Sequence, residues 1–276
     1  MKQQDAEQAM VEGCFTMLGW RIFLHSVQMV LRNWRHALRL GLVPAILGSL
    51  ATLALAWVTQ SGPAFEQFFG AGLNDFDKTE ITRQHLLFSL LVIVLQSVAG
   101  LWIVITWHRF ILLEEAQDGW VPPLRPGRIL AYLALSIGIG LICAAVALPV
   151  VFASAALAVA LGARGMGEAL TLAAFLLLSP WLQRLLLVLP ASAIGQPLSF
   201  GDALRLTRGQ YWTMLGVAAL GFAMQYGLST VLSFVGGVST VGPVAALFLT
   251  LLLQSLFGAS ILTTLYGVFV EKRPVG

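Results

Sequence analysis

The chain has 276 residues, 58% of them hydrophobic and only 11% charged, with a net charge of +3. Soluble domains carry about 25% charged residues, so this composition excludes an ordinary soluble protein and makes the bilayer the solvent for most of the surface. The small positive excess comes with no basic soluble segment, which argues against nucleic acid as a partner.

Residues 1–40 form a polar, basic leader. Lys2 is followed by Asp5, Glu7 and Glu12, which leaves no continuous apolar core for a cleavable signal peptide. From Phe23 to Leu40 apolar residues recur at helical spacing, with Val27, Val30, Leu31, Trp34 and Leu38 on one face and Arg32, Arg35 and Arg39 beside or opposite. This pattern predicts an amphipathic helix lying at the membrane surface. A first span follows over about 41–59. The stretch 60–85 is the one sizeable outer loop. It holds Glu66, Asp75, Asp77 and Glu80 and is broken by Gly62-Pro63 and Gly70-Ala71-Gly72, with a short helix expected around 63–69. The second span, about 86–107, has no charged side chain and carries Gln96 near mid-depth.

At Trp107-His108-Arg109 this apolar run stops. The next stretch brings Glu114, Glu115, Asp118, Arg125 and Arg128, with prolines at 122, 123 and 126, and reads as a helix leaving the bilayer. The third run, about 129–161, exceeds the ~20 residues one crossing needs, so either Pro149 kinks it or its end leaves the membrane. The fourth, about 168–190, contains Pro180 and Arg184, the latter within snorkelling reach of its end. Residues Leu198–Trp212, LSFGDALRLTRGQYW, form another basic leader, with Ser199 and Asp202 at capping-box spacing and Arg205, Arg208 and Trp212 beyond. The fifth and sixth spans, about 211–235 and 242–269, carry Gln225 and Gln254 near mid-depth.

These elements predict an all-α integral membrane protein: one domain over 1–276, with a leader (1–40), a six-helix bundle (41–270) and a tail (271–276). The six transmembrane helices pair as three hairpins, each led by a cytoplasmic interfacial amphipathic segment. Of the sixteen Lys and Arg residues, twelve fall on the side of the two termini and only Lys78, Arg83 and Arg164 on the other, with Arg184 inside a span. The positive-inside rule then puts both ends in the cytoplasm of a bacterial inner membrane. Trp34, Trp107, Trp120 and Trp212 are expected to anchor at the interface, and clustered arginines suit lipid phosphates. Small residues at Ser136, Gly138, Gly140, Gly216, Gly221, Gly236 and Gly237 offer close helix approach.

The stretch Trp107-His108-Arg109-Phe110-Ile111-Leu112-Leu113-Glu114-Glu115, with its proline-rich continuation, resembles a run common in uncharacterised six-span membrane proteins of proteobacteria. The segment from Phe200 to Trp212 is similar to the entry of the membrane domain fused to some glycerophosphoryl diester phosphodiesterases. The resemblance covers most of the chain through short motifs. It implies a lipid connection and carries over no catalytic residue, because no stretch of about 250 soluble residues is present to form the fused barrel.

His108, Arg109, Glu114 and Glu115 are the residue types that could do acid–base work. His108 and Glu115 lie about two helical turns apart. No nucleophile elbow, His-Glu-x-x-His, P-loop or dinucleotide fingerprint accompanies them, so no catalytic residue is assigned. The remaining histidines, His25, His36 and His85, lack metal-ligand spacing. Cys14 and Cys143 belong to no CxxC pair, and no disulfide, metal or cofactor is expected. Arg184 is an intramembrane charge that could pair with Glu114 or Glu115 or meet an anionic ligand. Gln96, Gln225 and Gln254, if they converge, would act as packing glue or line a path.

The expected role is a non-enzymatic accessory, assembly or scaffold protein. Its partners are membrane lipids through Arg32, Trp34, Arg35, His108, Arg109, Arg205, Arg208 and Trp212, and other membrane-protein subunits. The alternatives are a small-solute or lipid transporter and a lipid-modifying enzyme centred on His108.

Overall fold

The structure is a computed structural model that describes residues 2–59, 83–115, 119–162, 164–238 and 242–274. The expected helix at 63–69 lies outside the described residues. All regular elements among the described residues are helices, in the order α1 (Lys2–Arg32), α2 (Trp34–Val58), α3 (Arg83–Leu113), α4 (Pro126–Ala160), α5 (Arg164–Leu186), α6 (Val188–Ile194), α7 (Phe200–Leu206), α8 (Tyr211–Val238) and α9 (Gly242–Phe269). Six stretches are long and apolar enough to cross a membrane: Trp34–Val58, Leu87–Leu113, Pro126–Ala160, Ala169–Ile194, Tyr211–Gly236 and Gly242–Phe269. The chain is therefore an all-α, multi-pass membrane protein.

The leaders differ from the expectation in ways the local chemistry explains. The first is not one helix over 23–40. α1 ends at Arg32, and Asn33 breaks the register with its side-chain amide donating to the Met29 carbonyl at 2.9 Å. Trp34, Arg35 and Arg39 then begin the spanning helix itself. The face expected from 23–40 is accordingly rotated: Val30 is buried, while Leu31 and Trp34 are more than half exposed. Among the described residues of the second leader, the helix ends at Leu113 and resumes only at Pro126. α3 runs straight through Trp107-His108-Arg109 and ends two turns later than the apolar run does. The third leader forms α7 as expected. The Ser199 hydroxyl accepts from the Asp202 amide at 3.1 Å and donates to the Asp202 carboxylate at 2.7 Å, a local variant of the capping box.

The prolines act unequally. Pro149 sits inside the unbroken 35-residue α4, which at 1.5 Å per residue is about 52 Å long and must tilt or project. Pro190 removes a bond to the carbonyl four residues back, and the fourth crossing is interrupted at Leu187, just ahead of it, before continuing as α6. Gly195, at φ 86°, closes α6 with its amide and that of Gln196 on the Ala191 carbonyl.

The chain divides into two compact units. In the unit of residues 29–129 and 223–260, α2 packs on α3 through a face of small residues. Gly41, Ala45, Gly48, Ser49, Thr52 and Ala56 are all buried. A Cβ at Gly48 would lie 2.7 Å from the Ala99 Cβ, so only glycine allows this approach. Across the same seam Gln96 donates to the Thr52 hydroxyl at 2.8 Å, and Thr52 donates on to the Gly48 carbonyl at 3.0 Å. Trp107 is fully buried beside Leu40, Ile103, Leu252 and Leu256, so it is a core residue rather than an interfacial anchor. Trp34 and Trp120 are exposed, as anchors would be.

In the unit of residues 1–28, 130–222 and 261–276, α1 buries Gly19, Ile22 and Ser26. A Cβ at Gly19 would lie 2.9 Å from the Thr213 carbonyl oxygen, and Gly216 is its neighbour on α8. α4 meets α5 where a Cβ at Gly167 would lie 2.8 Å from the Ala158 Cβ. Beside this contact the hydroxyls of Ser154 and Thr171 touch, and each also reaches a carbonyl of its own helix. Two protons serve three contacts, so one hydroxyl bridges the helices while the other bonds back. Gly138 and Gly140, expected as approach points, have nothing within 4 Å of a built Cβ.

Gly48→Val should separate α2 from α3 and cost about 1–3 kcal/mol, read as a lowered thermal unfolding midpoint in detergent. Gly138→Ala should be neutral or slightly stabilising, because it adds helix propensity without a clash. Equal effects of the two would contradict the seam.

Candidate functional site

The strongest concentration of charge is built where α3 ends. The helix carries Arg109 in its penultimate turn, then stops at Glu114, which takes φ 54°. That left-handed conformation is usual for glycine at a helix C-terminus and costs a side chain energy. It turns the chain so that Glu115 faces back. Arg109 then grips the Glu115 carboxylate with two N–H groups, Nε at 2.9 Å on one oxygen and an Nη on the other. Arg125 adds a third contact at 3.1 Å. The Arg109 side chain is only 10% exposed, so the bidentate pair is what makes its burial tolerable. The Glu115 carboxyl is held below its ordinary value first by the hydrogen bond from Arg109, with the charges of Arg109 and Arg125 adding, against a desolvation effect of opposite sign.

Both Glu115 oxygens are thus engaged, and His108 is fully buried inside α3. Arg109 and Glu115, with Arg125, form an ion-pair clamp at the end of α3. Aromatic rings flank the clamp in the same unit: the His36 imidazole stacks on Phe110 at 5.0 Å, and the Arg39 guanidinium lies 5.8 Å from the Trp120 ring.

The other sequence-selected residues separate into exposed and enclosed sets. Arg32, Trp34 and Arg35 are exposed, with Arg35 over the Trp34 ring at 5.4 Å. Arg205 is exposed and pairs with Asp202, whose carboxyl is held low first by the Ser199 hydroxyl and also by Arg205. Arg208 is exposed, and Trp212 is half-exposed with its ring edge-on to Tyr211. His108 and Arg109 lie inside, away from where a headgroup contact would place them.

Arg184 is held by groups of its own unit. Its Nε donates to the Thr207 hydroxyl at 2.8 Å, an Nη donates to the Leu204 carbonyl, and the guanidinium lies 4.9 Å from the Trp181 ring. The Tyr211 hydroxyl donates to the Leu177 carbonyl at 2.8 Å. Together these fasten α7 and the start of α8 to the end of α5. Of the three glutamines, Gln96 bonds across to Thr52, while Gln225 and Gln254 are half-buried. The Gln96 bond is thus a helix-to-helix tie.

Thr52, Thr207 and Tyr211, missed in the sequence, complete these ties. A Thr four residues after a Gly on a small-residue face was the available signal for Thr52. Also unforeseen is an apolar groove between α4 and α5. Its wider part, about 890 Å³, is lined by Val151, Ala155, Ala158, Gly167, Thr171 and Phe175. A narrower part of about 150 Å³ shares Phe175 and continues past Val146, Ala147 and Trp181 to Leu185. Among the described residues no cluster of His, Cys, Asp and Glu could hold a metal ion.

Because Glu115 is lowered in the folded protein, its contribution is complete above the ordinary glutamate value of 4.5 and is lost as pH falls through the folded value. Glu115→Gln should cost on the order of 2 kcal/mol at neutral pH, less than the ~3–5 of a fully buried pair because water reaches this carboxylate. The deficit relative to the parent protein should shrink below about pH 4.5. Unfolding midpoints measured across pH check this; a deficit that persists undiminished in acid would contradict the clamp.

Comparison of the chain with protein-family models, curated proteins and solved structures gave no match.

Proposed function

We propose that this protein is a non-enzymatic accessory or assembly subunit of a bacterial inner membrane, and that its second hairpin, α4 with α5, seats another membrane protein. The observation carrying this reading is the uneven covering of the spans. In the most apolar stretch of α2 and of α9, 39% of residues are buried, whereas in α4 the share is 6%. α4 also presents Leu141, Leu148, Phe152 and Val159, all more than half exposed. Exposed apolar side chains continue around α4 at Ile142, Val146, Val151 and Leu157, so most of this helix is open to a partner.

Both chain ends lie in the cytoplasm on this reading, supported by the distribution of Lys and Arg and by the even number of spans. The exposed Arg35–Trp34 pair, and the half-buried Arg39 beside exposed Trp120, fit the headgroup layer of that leaflet. The resemblance of the Phe200–Trp212 segment to the membrane domain of glycerophosphoryl diester phosphodiesterases belongs to the same proposal, since that domain has no well-defined activity. The transporter and lipid-modifying readings draw less support. Gln96 is spent on Thr52 and Glu115 on two arginines.

A photo-reactive phenylalanine analogue at Phe152 should, in native membranes, give one discrete adduct with a different membrane protein. Adducts with lipid alone, or with a second copy of this chain, would overturn the reading. For topology, a cysteine at Arg208 should be labelled by an impermeant maleimide only after the membrane is opened, and one at Lys78 before, in a chain with Cys14 and Cys143 replaced. The reverse pattern would invert the orientation.

A further inference from the structure

The groove between α4 and α5 ends at a cation. From Gly167 to Arg184 it follows about 25 Å of α5. Its walls are apolar except for Ser154, Thr171 and Ser179, whose hydroxyls bond to helix carbonyls or to each other. At the other end Trp181 lines the narrow part and also carries the Arg184 guanidinium 4.9 Å from its ring. Two of the five guanidinium N–H groups go to Thr207 and Leu204, which leaves about three donors. Exposed Arg208 directly follows Thr207. Asp202, six residues before Arg208, is engaged by Ser199 and Arg205.

We infer that this groove holds one phospholipid, with its phosphate on Arg184 and one acyl chain running along the narrow groove toward Phe175. The dimensions agree. Half of a ~30 Å hydrocarbon core is about 15 Å, which is about ten residues of helix, and Phe175 lies nine residues before Arg184. The chain end therefore reaches the junction where the groove widens. A fully apolar occupant would leave the remaining guanidinium donors in a low-dielectric site unanswered, whereas a phosphate oxygen accepts from them with charge assistance. A soluble phosphate would leave the groove open to hydrocarbon. A lipid supplies both parts in one molecule. The narrow groove that takes the acyl chain is distinct from the proposed protein partner's face at Leu141, Leu148 and Phe152, and the two meet only at Val159, which lines the wide part.

Native mass spectrometry of the purified full chain tests this, with dioleoyl-phosphatidylglycerol as probe, diolein as the same chains without phosphate, and sn-glycerol 3-phosphate as the phosphate without chains. The expected result is one retained phosphatidylglycerol, displaced by neither competitor at equal concentration. Ala147→Phe, which fills the narrow groove, and Arg184→Gln should each weaken retention at least about ten-fold, equivalent to about 1.4 kcal/mol. Retention unchanged in Ala147→Phe overturns the site, and so does equal retention of diolein. Displacement by glycerol phosphate overturns the acyl-chain part. Should Arg184→Gln fail to fold because α7 is released, Ala147→Phe and the diolein comparison decide alone.

Discussion

Within a bilayer, apolar side chains gain nothing by meeting each other, because lipid tails are as apolar as leucine. What joins two spans there is close approach and the satisfaction of polar groups. The contact of α2 with α3 shows both in one place. Gly48 lets the helices come so near that a methyl group would collide with Ala99. That nearness brings Gln96 within 2.8 Å of Thr52. The hydrogen bond depends on the glycine, since a seam held open by a larger residue would leave the amide facing hydrocarbon. Bonds of this kind contribute only about 0.6 kcal/mol on average, so the packing is the larger part and the bond sets the register.

The same rule explains the fate of the ionisable residues. Two charges set into or beside a span find partners within their own unit: Arg109 in Glu115, and Arg184, with part of its donors, in Thr207 and the Leu204 carbonyl. Residues that look like the makings of an active site are thereby used to close helix ends and fasten short helices. The exposed apolar area of α4 and the groove beside α5 have no such internal answer, and that contrast directs attention to them rather than to the His108 cluster.

Much of the architecture was legible in the sequence because the bilayer writes a long-range signal. Six apolar runs of sufficient length appear as six spans, and Ser199 with Asp202 marked the start of α7 correctly. What failed were inferences from where apolarity stops. The run ending at Trp107 marked where apolarity stops, but not where the helix does, since α3 continues to Leu113. A charge can stay in a helix when a partner six residues on folds back to meet it, and the turn at Glu114 that allows this has no glycine to announce it. Asn33 ended α1 by a side-chain bond to its own helix, a signal too local to outweigh the periodicity on both sides. The glycines that matter, Gly19, Gly41, Gly48 and Gly167, differ from Gly138 and Gly140 only in what faces them. One sequence read alone cannot supply that.

The central claim is that the bare face of α4 seats another membrane protein. A density map of the protein extracted from its own membrane in lipid nanodiscs tests it most directly. The account predicts a foreign helix along Leu141, Leu148 and Phe152. A map in which that face borders only lipid, with no second protein present, would contradict it.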